Sequence, residues 1–212
     1  MSKRNVISIL CVALVAVAGC GKKADEAKTA MQAMKSMAES GEKVAGEVEK
    51  SEAKMEARRQ KGDTLAIPYK DLQKYLPESI GGYTAEEPKG QTMSMQGMSY
   101  STATRRYTQG ESDIEVSLTD YNSAYGVMTS ATMFMSLGIT VDDDEQTTKG
   151  YDTGISGVKG YEELQKKSKN AKITLSVGDR FLLVVAATGG QENTEFVKGI
   201  AKSIKLSDLA VM

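Results

Sequence analysis

Apolar and polar positions alternate most clearly at Ile114, Val116 and Leu118, which are separated by Glu115, Ser117 and Thr119. A period of two puts the apolar set on one side of an extended chain and predicts a half-buried strand over Ile114–Asp120. A strand over Ser99–Tyr107 precedes it, joined by a turn at Gln109-Gly110. Ile173, Leu175 and Val177 repeat the alternation, Gly178-Asp179 turns the chain, and Phe181–Ala187 is a continuous apolar run. This predicts a hairpin whose second strand is buried on both faces and central. Tyr83–Glu86 reads as a short first strand after the Gly81-Gly82 turn, and Ile155–Gln165 as strand pieces broken by Gly157 and Gly160.

The period changes to 3.6 in three places. Pro68 suits the first position of a short helix over Tyr69–Tyr75, closed by Leu76-Pro77. Ser123 suits an N-cap for Ala124, Val127, Met128, Ala131, Phe134 and Met135, with Gly138 closing the segment. A last helix starts at Asn193 or Thr194 and places Phe196, Val197, Ile200, Ala201 and Ile204 on one face. Leu206, Leu209 and Val211 finish the chain. Strands that come in hairpins, with helices before, between and after them, predict an α+β domain over residues 63–212: an antiparallel sheet with packed helices. The order is loosely similar to PsbP/Mog1-like folds, where a curved antiparallel sheet lies between helices. Val158-Lys159-Gly160-Tyr161-Glu162-Glu163 followed by Val177-Gly178-Asp179-Arg180-Phe181 resembles a pattern of uncharacterised bacterial envelope lipoproteins.

The first 62 residues follow other patterns. Lys3 and Arg4 precede an apolar stretch from Val6 to Val17, which is too short to span a hydrocarbon core of about 30 Å. Val17-Ala18-Gly19-Cys20 then joins small residues to a cysteine. This resembles the lipobox of bacterial lipoproteins cut by signal peptidase II. The resemblance implies a signal peptide over 1–19, a diacylglyceryl group on the Cys20 sulfur, and an acylated new amino terminus, with chains such as palmitate. Gly21 stands where an Asp would imply inner-membrane retention, so an outer-membrane anchor facing the periplasm is implied. A plain secretory leader with an incidental cysteine, and a short membrane helix, are the other readings of the same residues.

Residues 20–62 carry the anchor and a helix-prone stalk rich in Ala, Glu, Lys and Met, without proline or aromatics. A heptad-like seam runs through Ala27, Met31, Met34, Ala38, Gly41, Ala45, Val48, Glu52 and Met55. Its small residues, with Gly41 and Glu52, make a poor coiled coil and a better spacer. Self-association of the stalk is the alternative.

Composition narrows the chemistry. The chain has no histidine, no tryptophan, and two cysteines, of which Cys11 lies in the leader. Histidine-dependent triads, imidazole zinc sites and a catalytic thiol in the mature chain are excluded. Lys/Arg number ten against eight Asp/Glu over residues 21–62, and fifteen against twenty over 63–212. A mildly acidic domain is a poor nucleic-acid binder. The expected role is therefore a membrane-anchored, non-enzymatic binding module. Its partner would be an envelope protein or a small ligand, with no cofactor beyond the lipid on Cys20. A spacer protein assembled through the stalk is a further alternative.

Met93, Met95 and Met98 form the one local cluster with ligand chemistry, because soft thioethers suit Cu(I) or Ag(I). The spacing resembles that of periplasmic copper and silver handlers, which commonly add His or Trp. A soft-metal-binding protein is thus a second reading; a flexible apolar segment packing on core or partner is the other account of these methionines. Asp142-Asp143-Asp144-Glu145 lacks the alternation of a calcium loop and reads as a solvated acidic turn. Glu162-Glu163 with Lys166-Lys167 reads as an exposed, charge-paired face. Arg105 and Arg106 alternate on their strand, so at most one faces a pocket. Tyr100, Tyr107, Tyr121, Tyr125, Tyr151 and Tyr161 read as core-rim residues or groove lining.

Overall fold

A sheet of nine antiparallel strands organises the chain, and most of its strands are consecutive in sequence. The computed structural model describes residues 46, 49–95, 98–122 and 140–212, the side chains of Met95 and Met98 excepted. Cys20, most of the stalk seam, and the amphipathic stretch Ser123–Gly138 with Tyr125 lie outside them. Residues 40–212 form one compact unit.

Helical residues 49–60 (α1) lead into α2 (Tyr69–Leu72) and a tight 3-10 turn over Gln73–Tyr75. The strands are β1 (Thr84–Ala85), β2 (Lys89–Met95), β3 (Met98–Gln109), β4 (Ser112–Asp120), β5 (Val141–Asp142), β6 (Gln146–Asp152), β7 (Val158–Gln165), β8 (Asn170–Val177) and β9 (Phe181–Ala187). Two helices close the chain, α3 (Glu195–Ser203) and α4 (Leu206–Ala210). Across the sheet the order is β1-β3-β4-β9-β8-β7-β6-β5, with β2 beside β1 on the same edge of β3. After β4 the chain passes to the far edge and returns strand by strand until β9 pairs with β4.

The alternation read from sequence sets the inward face. Ile114, Val116 and Leu118 of β4, Ile173, Leu175 and Val177 of β8, and Phe181, Leu183 and Val185 of β9 are all fully buried. Leu72, Leu76 and Ile80 cover them at one end. Val197, Ile200 and Ile204 of α3 and Leu206 and Leu209 of α4 complete the same core. β9 is central, as the apolar run implies, but its second face (Leu182, Val184, Ala186) is only half-buried. Tyr107 is buried under Pro77, whose carbonyl accepts hydrogen bonds from the phenol and from Arg105 Nη1. Burial pushes the Tyr107 phenol up to about 12, against the opposing charge of Arg105.

Several expectations are corrected. β7 runs unbroken through Gly160, because the neighbouring strand leaves no room there for a side chain. β6 carries no apolar alternation and β2 only the pair Met93 and Met95; both are largely exposed near the sheet edges, and the sequence reading did not predict them as strands. Pro68 caps α2 from outside, in an extended conformation, instead of opening its first turn. Phe196 does not join the core; it is 36% exposed and stacks on Tyr83 at 5.9 Å. In α1 the packed face is Ser51, Met55 and Arg58, while the seam residue Glu52 is exposed.

Candidate functional site

The three methionines singled out above stand on one hairpin. β2 and β3 pair with Met95 opposite Met98 and Met93 opposite Tyr100. Residues directly opposite each other, and residues two apart on one strand, share a face. Met93, Met95, Met98 and Tyr100 therefore occupy one face of a two-stranded ribbon, and Thr92, Ser94, Ser99 and Ser101 occupy the other. β4 reaches along β3 only as far as the Ser101–Asp120 pair. Residues 98–100 thus have no strand on that side among the described residues, and the ribbon continues beyond the sheet as an arm.

The hydroxyl face is what holds the arm to the body. Ser99 Oγ accepts the Ala66 amide at 3.0 Å, and Thr92 Oγ1 accepts the Tyr69 amide at 3.1 Å. Thr92 and Ser101 hydroxyls are 2.7 Å apart, and Ser94 donates to Ser99 at 3.2 Å. On the hydroxyl face Ser99 and Ser101 of β3 are buried and Thr92 and Ser94 of β2 are exposed, and Met93 on the other face is 47% exposed. No charged residue stands between Lys89 and Arg105.

Charged residues elsewhere close on one another. At the end of the sheet next to α1, Arg180 is buried and donates to Asp120 through Nε at 3.0 Å and Nη2 at 2.9 Å, and to Asp63 through Nη1 at 2.7 Å. Asp120 also accepts the amides of Ile67 and Asn122. Asn122 donates to the Asp63 side chain and to the carbonyls of Asp63 and Leu65, and accepts Arg58 Nε at 3.3 Å. Lys54 reaches Asp179 at 2.5 Å. Helix α1 and the segment after it are thus pinned to the β8–β9 turn. Burial works against the Arg180 charge, but Asp120 and Asp63 outweigh it and raise its pKa. Burial and the neighbouring Arg180 lower that of Arg58. The sequence carried one signal for this network: Asp120 continues the inward parity of Ile114, Val116 and Leu118, where an unpaired carboxylate would be costly.

Glu162 is the second interior charge, and it overturns the exposed-face expectation. It sits on the inward parity of β7 with Val158 and Gly160 and is 3% exposed. Lys149 on β6 approaches at 3.0 Å and Lys198 on α3 at 2.6 Å, while Thr194 donates its hydroxyl. Lys198 also lies over the Tyr151 ring at 5.0 Å. Glu163 turns to the opposite face and pairs with Lys172. Burial alone would push the Glu162 carboxyl up, but Lys198, Thr194 and Lys149 hold it below the ordinary carboxylate value. A carboxyl depressed in the folded state adds stability that is complete above the unfolded value of about 4.3 and is lost as pH falls through the folded one. Glu162→Gln is therefore expected to lose less stability than the wild type between about pH 5 and 3. Urea midpoints at the two pH values measure this, and equal losses in both proteins would contradict it.

The acidic turn is also internally paired. Lys166 bonds Asp142 at 2.8 Å and the Asp143 carbonyl, Lys167 bonds Glu145 at 2.8 Å, and Asp143 Oδ1 accepts two amides of its own turn. The four acidic residues of this turn lie among lysines and do not converge. Among the described residues no three His, Cys, Asp or Glu side chains gather as metal ligands. Arg105 turns inward and spends its guanidinium on the carbonyls of Glu86 and Pro77, while Arg106 pairs outside with Asp113. Of the tyrosines, Tyr107 is in the core, Tyr151 packs under Lys198, and Tyr121 lies near Tyr100, burial and that neighbour raising its pKa. Among the described residues no helix is long and apolar enough to cross a membrane. Comparison with protein-family models, with characterised proteins and with solved structures finds no match to the chain.

Proposed function

We propose that this chain is a membrane-anchored envelope lipoprotein whose α+β domain serves as a non-enzymatic binding module at the periplasmic face of a bacterial outer membrane. The Val17-Ala18-Gly19-Cys20 motif after a basic, then apolar leader carries the reading. A thioether-linked diacylglyceryl group and an N-acyl chain together give stable anchoring, because each buried methylene contributes about 0.8 kcal/mol and one chain alone holds only marginally. The geometry of α1 agrees with a tethered body. Lys54 and Arg58 fasten the end of the stalk to the sheet, so the domain is carried in a set orientation on α1. The charges of Asp120, Arg180 and Glu162 are partnered within the fold.

Mass spectrometry of the full-length protein expressed in a bacterial host tests the anchor. The expected product begins at Cys20 and carries a diacylglyceryl thioether with an acylated amino group. Cys20→Ser is expected to leave the leader uncut and to remove that species. An unmodified Cys20, or an intact leader in the wild type, would overturn the proposal.

A further inference from the structure

We propose that the outer edge of β2 pairs with the same edge of a second copy of this chain, β2 against β2 in antiparallel order about a two-fold axis at Thr92. The inference goes beyond the binding-module reading and stands on the sheet alone, with or without the lipid. β3 decides which backbone groups of β2 are turned outward. On this edge the Arg106 carbonyl of β3 accepts the Glu86 amide, and β3 keeps one unbroken register with β4 on its other side. Bonding direction alternates along a strand, so the even-numbered residues of β3 turn their N–H and C=O groups toward β2. Lys89, Gln91 and Met93, opposite Thr104, Thr102 and Tyr100, are therefore the positions of β2 that bond β3. The N–H and C=O groups of Gly90, Thr92 and Ser94 point the other way, where no strand pairs with them among the described residues. Every residue from Lys89 to Ser94 is exposed.

The two edges of the sheet are built differently. Edges that avoid pairing are short, charged or interrupted by proline. The far edge is short and charged: β5 has two residues, Asp142-Asp143-Asp144-Glu145 runs past it, and the part of β6 beyond it carries Lys149 and Asp152. β2 has seven residues, no charge after Lys89 and no proline within it. It is also held in place before a partner arrives. Thr92 Oγ1 accepts the Tyr69 amide, and Gln73 donates to the Pro88 carbonyl at 3.0 Å where the strand begins. An edge already fixed in its paired conformation loses little freedom on association.

The register selects the occupant. When β2 pairs with itself, only the alignment centred on Thr92 engages all three outward residues of both strands. Gly90 then meets Ser94 of the second copy, Thr92 meets Thr92, and Ser94 meets Gly90, which makes about six backbone hydrogen bonds. Lys89 stands opposite position 95 of the second copy, so no like charges face each other. The contact uses the same patch on both copies and closes as a dimer. A β2–β5 contact would be head-to-tail, would not close, and would engage a strand of two residues.

One added strand buries less than the about 1,200–2,000 Å² of a stable interface, so the pairing is expected to be reversible and to grow with protein density. Hydrogen exchange of the full-length mature protein in detergent, at high and low ratios of protein to detergent, tests it. At high density the amides of Gly90, Thr92 and Ser94 are expected to slow about tenfold or more, while those of Gln91 and Met93, bonded to β3, keep one rate at both densities. A second measurement reads the register. Gln91 and Met93 would stand opposite each other across the edge as a pair without mutual hydrogen bonds, close enough for a disulfide. Gln91→Cys mixed with Met93→Cys is therefore expected to give a linked dimer whose bridged peptide joins positions 91 and 93. Ser94→Pro is the blocking variant. The Ser94 amide points away from β3, so proline removes bonds across the edge and none within the sheet. It is expected to abolish the slowing at Gly90 and Thr92 and to leave the circular dichroism unchanged; should it misfold, the exchange pattern and the bridge still decide. Equal rates at the three outward amides at both densities, a bridge that joins other positions, or a folded Ser94→Pro protein that still shows the slowing would each overturn the pairing. The mass of the Cys20 peptide decides the anchor separately.

Discussion

Arg180→Met is expected to cost the folded protein about 3–5 kcal/mol, the range found when one partner of a buried ion pair is removed. The loss comes from what stays behind. Asp120 is fully buried and would keep only the Ile67 and Asn122 amides in place of a bidentate guanidinium. Asp63 would lose its bond from Nη1 and hold only Asn122. Methionine fills much of the volume of the arginine stem, so the cost is electrostatic more than steric. Against a typical domain stability of about 5–15 kcal/mol this is a large fraction, and it falls well within the range of urea unfolding.

Two further readouts separate this account from a general packing defect. Asp120→Asn combined with Arg180→Met should cost less than the two single changes added, because the double variant leaves no fully buried charge without its partner and only the part-exposed Asp63 loses a cation. Local opening should report the same link. Asp120 holds the Ile67 amide and Asn122 holds the Leu65 carbonyl, so hydrogen exchange at Ile67 is expected to quicken and the segment after α1 to become cleavable. Unchanged exchange there, with a strictly additive double variant, would show that the network does not join α1 to the sheet.

What the sequence disclosed depended on which physical term dominated at each position. Ile114, Val116, Leu118, Ile173, Leu175 and the Phe181–Ala187 run are placed by burial, and burial writes a period into sequence. The β3–β4 and β8–β9 hairpins and the α+β class followed from it. β2 and β6 lie near the edges, where little is buried, so their register is set by backbone pairing and leaves little apolar trace beyond Met93 and Met95. Glu162 and Arg180 were illegible for another reason. Each is a charged residue stabilised by partners from distant parts of the chain, such as Lys149 with Lys198, or Asp63 with Asp120, and local spacing does not display those. The methionines show both sides. Their cluster was visible in six consecutive residues. That they share a face, and that the hydroxyls between them are turned to the body, required the strand register and the bonds to Ala66 and Tyr69.

Gly160→Ala should be the most damaging single-methyl change among the strand glycines. A Cβ at Gly160 would stand 2.2 Å from the Thr174 carbonyl oxygen and 2.4 Å from Leu175 Cδ2. The nearest obstacle is backbone of β8, fixed by the Gly160–Leu175 register, so it cannot swing away as a side-chain end would. Relief requires β7 and β8 to separate, and Glu162 lies two residues further along the same strand. Lys198 of α3 and Thr194 before it would then move away from Glu162, while Lys149 on β6 stays with β7. We therefore expect a loss of about 3 kcal/mol, at the upper end for overpacking. Gly150, in the adjacent strand β6 and opposite Tyr161, supplies the comparison: nothing lies within 4 Å of a Cβ there. Gly150→Ala should stay within about 0.5 kcal/mol of wild type, and loss of chain entropy in the unfolded state can make it slightly stabilising. Urea unfolding of the two variants side by side distinguishes a steric contact between β7 and β8 from any general intolerance of side chains in strands. Equal midpoints would mean that the β7–β8 contact can relax, and that Glu162 is not held by the closeness of the two strands.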